Sequence, residues 1–170
     1  MADRTLYWSL TASPVGELLL TSTDEGLISL SWDIPDPGAE ALNIATSRSL
    51  VARHSAEAHR TINDQLDAWF SREIKEFDLP LADDPRRGTA FSARVLAVTS
   101  LLPIGGTASY GEVARQAGSP RGARAAGSAL ARNPLPIIIP CHRVVAANGK
   151  LGGFSGGLSR KQILLAIESG

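Results

Sequence analysis

The chain has 170 residues, 44% hydrophobic and 20% charged, with a single cysteine and a formal net charge of zero. That length suits one ordinary domain or two small ones, and the composition suits a soluble globular protein. No apolar run approaches the ~18 residues of a membrane span, the N-terminus has no basic flank or apolar core of a signal peptide, and a lone cysteine excludes an internal disulfide and any multi-cysteine zinc site. A reducing, cytoplasmic setting is expected.

The zero total conceals two halves. Residues 1–85 hold 15 of the 17 acids and 6 of the 17 Lys and Arg, a balance of −9; residues 86–170 set the other 11 bases against Glu112 and Glu168 alone, a balance of +9. Asymmetry of this kind points to a nucleic-acid partner for the basic half, with a merely solvated basic face as the alternative. An acidic first half cannot be a phosphate-binding surface.

From the N-terminus, Thr5–Leu10, Glu17–Thr23 and Leu27–Trp32 read as strands separated by the turns Ser13-Pro14-Val15-Gly16 and Asp24-Glu25-Gly26, a β-meander. After the breaker Asp33–Gly38, a weak helix is expected over Ala39–Arg53. A firmer one over Thr61–Arg72 has Ile62, Leu66, Trp69 and Phe70 on one face. Leu79–Gly88 reads as interdomain linker, with the charge changing sign across it. The expected organisation is therefore residues 1–80, a linker at 81–88, and residues 89–170.

Beyond the linker, Phe91, Val95, Val98 and Leu102 define a helix. Ser109 and Glu112 form a capping box, Gly118 suits a helix end, and Ser119-Pro120 suits the start of a second helix over Pro120–Arg132. This is a helix-turn-helix pattern. The second helix mixes Arg121, Arg124 and Arg132 with Ala123, Gly127 and other small residues, which suits close approach to a groove. A generic alanine-rich helical hairpin fits the pattern about as well, and the +9 charge favours DNA. Asn133-Pro134 ends the helix, and Ile137-Ile138-Ile139 is expected to run as an apolar strand into Cys141, followed by His142 and Arg143. A thiol so placed is either a nucleophile awaiting a base or a buried small hydrophobe. The Gly-rich run Leu151–Leu158 has neither the P-loop nor the dinucleotide-fold spacing and reads as a loop that approaches a ligand closely. Ser159 and Gln162 are expected to cap a last helix, with Glu168 in its final turn.

Pro140-Cys141-His142-Arg143-Val144, with Asn133-Pro134 upstream and Phe154-Ser155-Gly156-Gly157 downstream, resembles the active-site signature of the 6-O-alkylguanine-DNA alkyltransferases. Ser13–Leu18 and Gln65–Phe70 are similar to that family's N-terminal domain. The resemblance implies a mixed α and β, two-domain protein: a small ribonuclease H-like α/β domain with an antiparallel meander, then a mainly helical, winged helix-turn-helix-like DNA-binding domain. It implies a single-turnover repair enzyme that flips 6-O-methylguanine from duplex DNA and moves the alkyl group irreversibly to Cys141, with 4-O-methylthymine as a minor substrate. Activation would run through a bridging water, His142 and Glu168. Asn133 would tie the turn before the active site, and Tyr110 would donate to guanine N3 and help turn the nucleotide. Val144 would offer a carbonyl, Ser155 an amide, and Phe154 a pocket wall. Arg124 would fill the vacated stack, Ala123 and Gly127 would allow the minor-groove contact, and Arg121 and Arg132 would touch phosphates. Neither metal nor cofactor is implied; the partner is double-stranded DNA, the protein a monomer, with cooperativity on DNA left open. Ser92, Leu96, Ile104 and Phe154 depart from the common pattern of the family.

Overall fold

Alternation of apolar and polar residues in the first segment produces a sheet with two different faces. In the computed structural model, which describes residues 4–82 and 88–170, strands β1 (Thr5–Thr11), β2 (Leu18–Thr23) and β3 (Gly26–Trp32) form the expected antiparallel meander. Helix α1 (Pro37–Ser47) starts at Asp36, whose carboxylate accepts from the Ala39 N–H at 2.9 Å. It ends well short of Arg53. Ser49 takes a positive φ of 55°, and Val51–His54 then forms β4, parallel to β1, giving the order β3-β2-β1-β4. The expected helix over Ala39–Arg53 is thus a helix followed by an edge strand. The strand is short and mostly exposed, so it carries no period-2 apolar signal.

One face of this sheet packs Leu6 and Ile28 on Ala41, Ile44 and Ala45 of α1. The other receives a 3-10 turn, Glu57–His59, and helix α2 (Arg60–Phe70), which buries Ile62, Leu66 and Trp69. His59 is fully buried there, its Nδ1 2.6 Å from Ser9 Oγ and its Nε2 2.8 Å from Ser22 Oγ. Leu81 bridges to Leu27, and the Ala82 N–H donates to the Leu27 carbonyl at 3.0 Å. Residues 83–87 of the expected linker lie outside the described residues. The chain divides into two compact units, Met1–Asp84 and Pro85–Gly170.

In the second unit, α3 (Ala90–Ser100) is capped by Thr89 and buries Ser92, Val95, Leu96 and Thr99, so two of the departures from the family pattern are core positions. Strand β5 (Ala108–Ser109) leads into α4 (Tyr110–Gln116), whose capping box between Ser109 and Glu112 forms as the sequence predicts. Gly118, at φ 85°, ends it. Helix α5 begins at Ala123 rather than Pro120 and runs to Ala131. The delay has a local cause: Ser119–Gly122 closes a tight turn through a 2.8 Å bond from the Gly122 N–H to the Ser119 carbonyl. A Cβ at Gly122 would lie 2.6 Å from Ser119 Oγ.

Ile137–Ile139 is likewise not a strand. Pro134, Pro136 and Pro140 cannot donate to a ladder, Ile137 is forced to φ 74°, and Pro140 (φ −79°, ψ 64°) makes an inverse γ-turn that points the Cys141 N–H at the Ile139 carbonyl, 2.7 Å away. A β-branched residue at positive φ is strained. Cys141–Arg143 is one turn of 3-10 helix, followed by β6 (Val144–Val145), which pairs in parallel with β5. Helix α6 (Leu158–Ser169) closes the unit; Gly157 precedes it without a side-chain cap, so Ser159 is not the cap residue. Among the described residues no helix is long and apolar enough to cross a membrane.

Burial, then the nearby His54, holds His59 down to about 4, below its ordinary 6.5. The unfolded chain therefore binds the extra proton first, and the stabilising effect of a neutral His59 is complete above pH 6.5 and lost as pH falls toward 4, about 3 kcal/mol in all. All three tryptophans belong to the first unit. Urea unfolding followed by their fluorescence should weaken between pH 7 and 4.5, and His59→Gln should flatten that slope.

Candidate active site

Pairing of β5 with β6 fixes the centre of the second unit: it aligns Ala108 with Val144 and Ser109 with Val145, bringing Tyr110 beside the segment that follows Cys141. Helix α5 supplies the opposite wall. An open cleft of about 670 Å³ lies between them, lined by Tyr110, Ala123, Arg124, Gly127, Cys141, Phe154 and Ser155 among others. Seven sequence-predicted residues thus meet in one cavity. Arg121 and Arg132 are exposed just before and just after α5, outside the cleft lining.

Behind the cleft sits a buried polar cluster. The Glu168 carboxylate, on the last turn of α6, accepts from His142 Nε2 at 2.7 Å, from Arg143 Nε at 3.0 and 3.1 Å, from an Arg143 terminal nitrogen at 2.7 Å, and from the Gly105 N–H at 3.2 Å. Arg143 also donates to the Leu102 carbonyl. Burial works to raise the Glu168 pKa, but the bonds from His142 and Arg143 outweigh it and bring the carboxyl down to about 2. An ionised carboxylate only accepts, so His142 donates through Nε2, and burial, stronger than the pull of Glu168, keeps the ring below its ordinary pKa. A neutral ring protonated at Nε2 carries its lone pair on Nδ1.

Cys141 lines the cleft yet is only 5% exposed. Burial pushes its thiol above the ordinary value, and a hydrogen bond from Asn133 together with the charge of Lys161 offsets this only in part. The thiol is therefore protonated at neutral pH. Asn133 also ties the preceding turn, donating to the Ile139 carbonyl at 2.9 Å and accepting from the Leu135 N–H at 3.0 Å.

The loop after β6 completes the cleft. Tyr110 donates to the Gly153 carbonyl at 3.0 Å. Gly152, at φ 70°, lies against the tyrosine so closely that a Cβ there would be 2.9 Å from Cε2. Phe154 is half-buried and Ser155 exposed.

Both units match models of one family. Residues 90–170 match the DNA binding domain of 6-O-methylguanine DNA methyltransferase, and residues 6–82 match its ribonuclease-like domain. The chain belongs to the 6-O-methylguanine DNA methyltransferase family. A methylated-DNA–protein-cysteine methyltransferase of Methanosarcina acetivorans is 37% identical over 96% of this chain and 98% of its own length. One of Mycolicibacterium paratuberculosis is 50% identical over 62% of each chain. The crystal structure of Mycobacterium tuberculosis OGT in complex with DNA superposes with a TM-score of 0.79 at 37% identity, covering 97% of this chain and 92% of that one.

Sequence reasoning for this methyltransferase-family chain overlooked Arg143 as a carboxylate anchor and gave Lys161 no role. The signal for both is positional. Lys161, Leu164 and Glu168 are the buried residues of α6, so two ionisable groups occupy its apolar face at helical spacing, and buried charges are seldom found without partners. Removing one member of a buried ion pair leaves the other uncompensated, at about 3–5 kcal/mol. Arg143→Met should lower the stability of the second unit by that amount, read as faster hydrogen exchange in α6; a loss under ~1 kcal/mol would contradict the buried pair.

Proposed function

We propose that this protein repairs alkylated DNA by moving the alkyl group from 6-O-methylguanine to Cys141, one transfer per protein molecule. The observation that carries the reading is a buried thiol opening into a cleft walled by an arginine-bearing helix, with a histidine held by a buried carboxylate behind it. The base must leave the duplex to reach a sulfur so far inside, which is the logic of base flipping.

In the proposed reaction His142, through Nδ1 and a bridging water, takes the thiol proton as sulfur attacks the methyl carbon. Glu168 orients the ring and stabilises the imidazolium that forms. The carbon–sulfur bond forms as the carbon–oxygen bond breaks, leaving its electron pair on guanine. The proton given up by the thiol equals the one guanine takes at N1 as its oxygen becomes a carbonyl. Tyr110 would donate to N3 and stabilise the charge developing on the ring. The Val144 carbonyl would accept from the exocyclic amine, the Ser155 N–H would face the guanine oxygen, and Phe154 would cover the base. Asn133 would hold the turn that presents the cysteine. S-methylcysteine is a neutral thioether whose carbon–sulfur bond a protein nucleophile does not reopen at neutral pH, so the protein is consumed.

Helix α5 would lie in the minor groove, Ala123 and Gly127 allowing close approach. Arg124 is exposed in its first turn and lines the cleft, where its planar cation would occupy the stack that the flipped base leaves. Arg121 and Arg132 would meet phosphates, making affinity salt-dependent and nearly indifferent to sequence. A monomer acting in the cytoplasm completes the proposal.

Intact-mass measurement after incubation with a duplex carrying 6-O-methylguanine should show one added methyl group. Unmodified protein, or methylation that persists in Cys141→Ala, would refute the reading. Arg124→Ala should slow transfer from duplex by 10-fold or more, while transfer from the free base changes little, because the arginine offsets an unstacking cost of a few kcal/mol that a free base does not incur. Equal losses on both substrates would rule out the stacking role.

A further inference from the structure

Lys161 is fully buried, yet the reaction described above makes no use of it. Its ammonium reaches the carbonyl of Val144 at 2.6 Å, that of Gly153 at 3.1 Å, and that of Leu151. An ammonium has three N–H donors, and here each meets a backbone oxygen. The three acceptors come from β6 and from the loop that follows it, so one side chain of α6 joins both sides of the guanine-facing wall. Nζ also stands 5.8 Å from the centroid of the Tyr110 ring.

The Gly153 carbonyl is shared. It accepts from Lys161 and also from the Tyr110 hydroxyl at 3.0 Å. A phenol has one O–H, whereas a carbonyl oxygen has two lone pairs. Tyr110 therefore cannot donate to a guanine ring while it donates to Gly153; it must release that oxygen. A carbonyl stripped of its only partner beneath a bound base would carry a desolvation penalty that opposes the exchange. With Lys161 in place, the carbonyl stays hydrogen-bonded throughout.

We propose that Lys161 is a positioning residue that keeps the Gly153 carbonyl paired while Tyr110 transfers its hydrogen bond from that carbonyl to the guanine. The proposal rests on the alkyl-transfer reading and on Tyr110 as donor. It makes Tyr110 a latch: closed on Gly153 in the free protein, open on substrate, with Lys161 holding the loop still in both states. Val144 gains from the same clamp, since the bond from Lys161 fixes the direction of its carbonyl and leaves its second lone pair for the exocyclic amine.

A double-mutant cycle tests this, with single-turnover methyl transfer from a 6-O-methylguanine duplex measured in wild type, Lys161→Met, Tyr110→Phe and the double variant. Lys161→Met should slow transfer by about 10–100-fold, the equivalent of one unpaired buried acceptor. In the Tyr110→Phe background, where no exchange takes place, the same change should cost no more than about 3-fold. A lysine that merely stabilises the fold would give the same factor in both backgrounds. Multiplicative losses, or a Lys161→Met protein within 2-fold of wild type, would overturn the proposal.

Should Lys161→Met fail to fold, NMR of Cys141→Ala with its lysine intact decides instead. The chain has three lysines, and Lys75 and Lys150 are exposed, so a solvent-protected ammonium signal belongs to Lys161. That signal should be present in the free protein and persist on the methylated duplex; its loss on binding would refute the clamp. Failure of wild type to methylate itself would fall on the alkyl-transfer reading, while the ammonium signal of the free protein tests the clamp separately.

Discussion

The second unit is organised around the Glu168 carboxylate. It joins three parts of the chain that are distant in sequence: the loop at Gly105, the turn carrying His142 and Arg143, and the end of α6. Because the carboxylate is buried, its charge must be matched in place, and Arg143 does that from two nitrogens while His142 completes the set. The consequence for chemistry is geometric. His142 cannot rotate without breaking a buried charge-assisted bond, so its lone pair stays fixed on Nδ1. Burial, with a smaller contribution from the charge of Arg143, keeps Glu168 from converting His142 into a resting imidazolium.

A neutral histidine beside a neutral thiol distinguishes this site from one that stores a thiolate. Sulfur in an anionic resting state would react with any passing electrophile, and this chain has one thiol to spend. Burial keeps the thiol protonated despite Asn133 and Lys161. In the proposed reaction nucleophilicity would develop only during transfer, as proton removal is coupled to bond formation. The burial that would admit only a flipped base thus also holds the sulfur in its unreactive form.

Local rules were legible in the sequence wherever one short-range interaction decides the conformation. The capping box of Ser109 and Glu112, the helix end at Gly118, the meander and the face of α2 all follow from neighbours within a few residues. The failures have two origins, pairing with a distant part of the chain and local turns that override the apolar pattern. Val51–His54 becomes a strand because β1 offers an open edge, whereas Ile137–Ile139 is bent by its flanking prolines, with the Asn133 side chain bonded to the Ile139 carbonyl, and α5 starts late at the Ser119–Gly122 turn. Among site residues, Cys141, Tyr110 and Arg124 could be singled out from motif and charge, whereas Lys161 and Arg143 acquire meaning only when α6 folds back over β6. The lone hint for Lys161, a charge on an apolar helix face, is one that a linear reading assigns to solvent.

Alkyl transfer as proposed starts from a Cys141 thiol that is protonated at rest. With one cysteine in the chain, the difference in absorbance at 240 nm between the intact protein and Cys141→Ala titrates that sulfur alone. No thiolate step should be seen between pH 6 and the ordinary cysteine value of ~8.5, with absorbance rising only above it. A thiolate already present at pH 7 would contradict it, for the sulfur would then need neither His142 nor Glu168 to become a nucleophile.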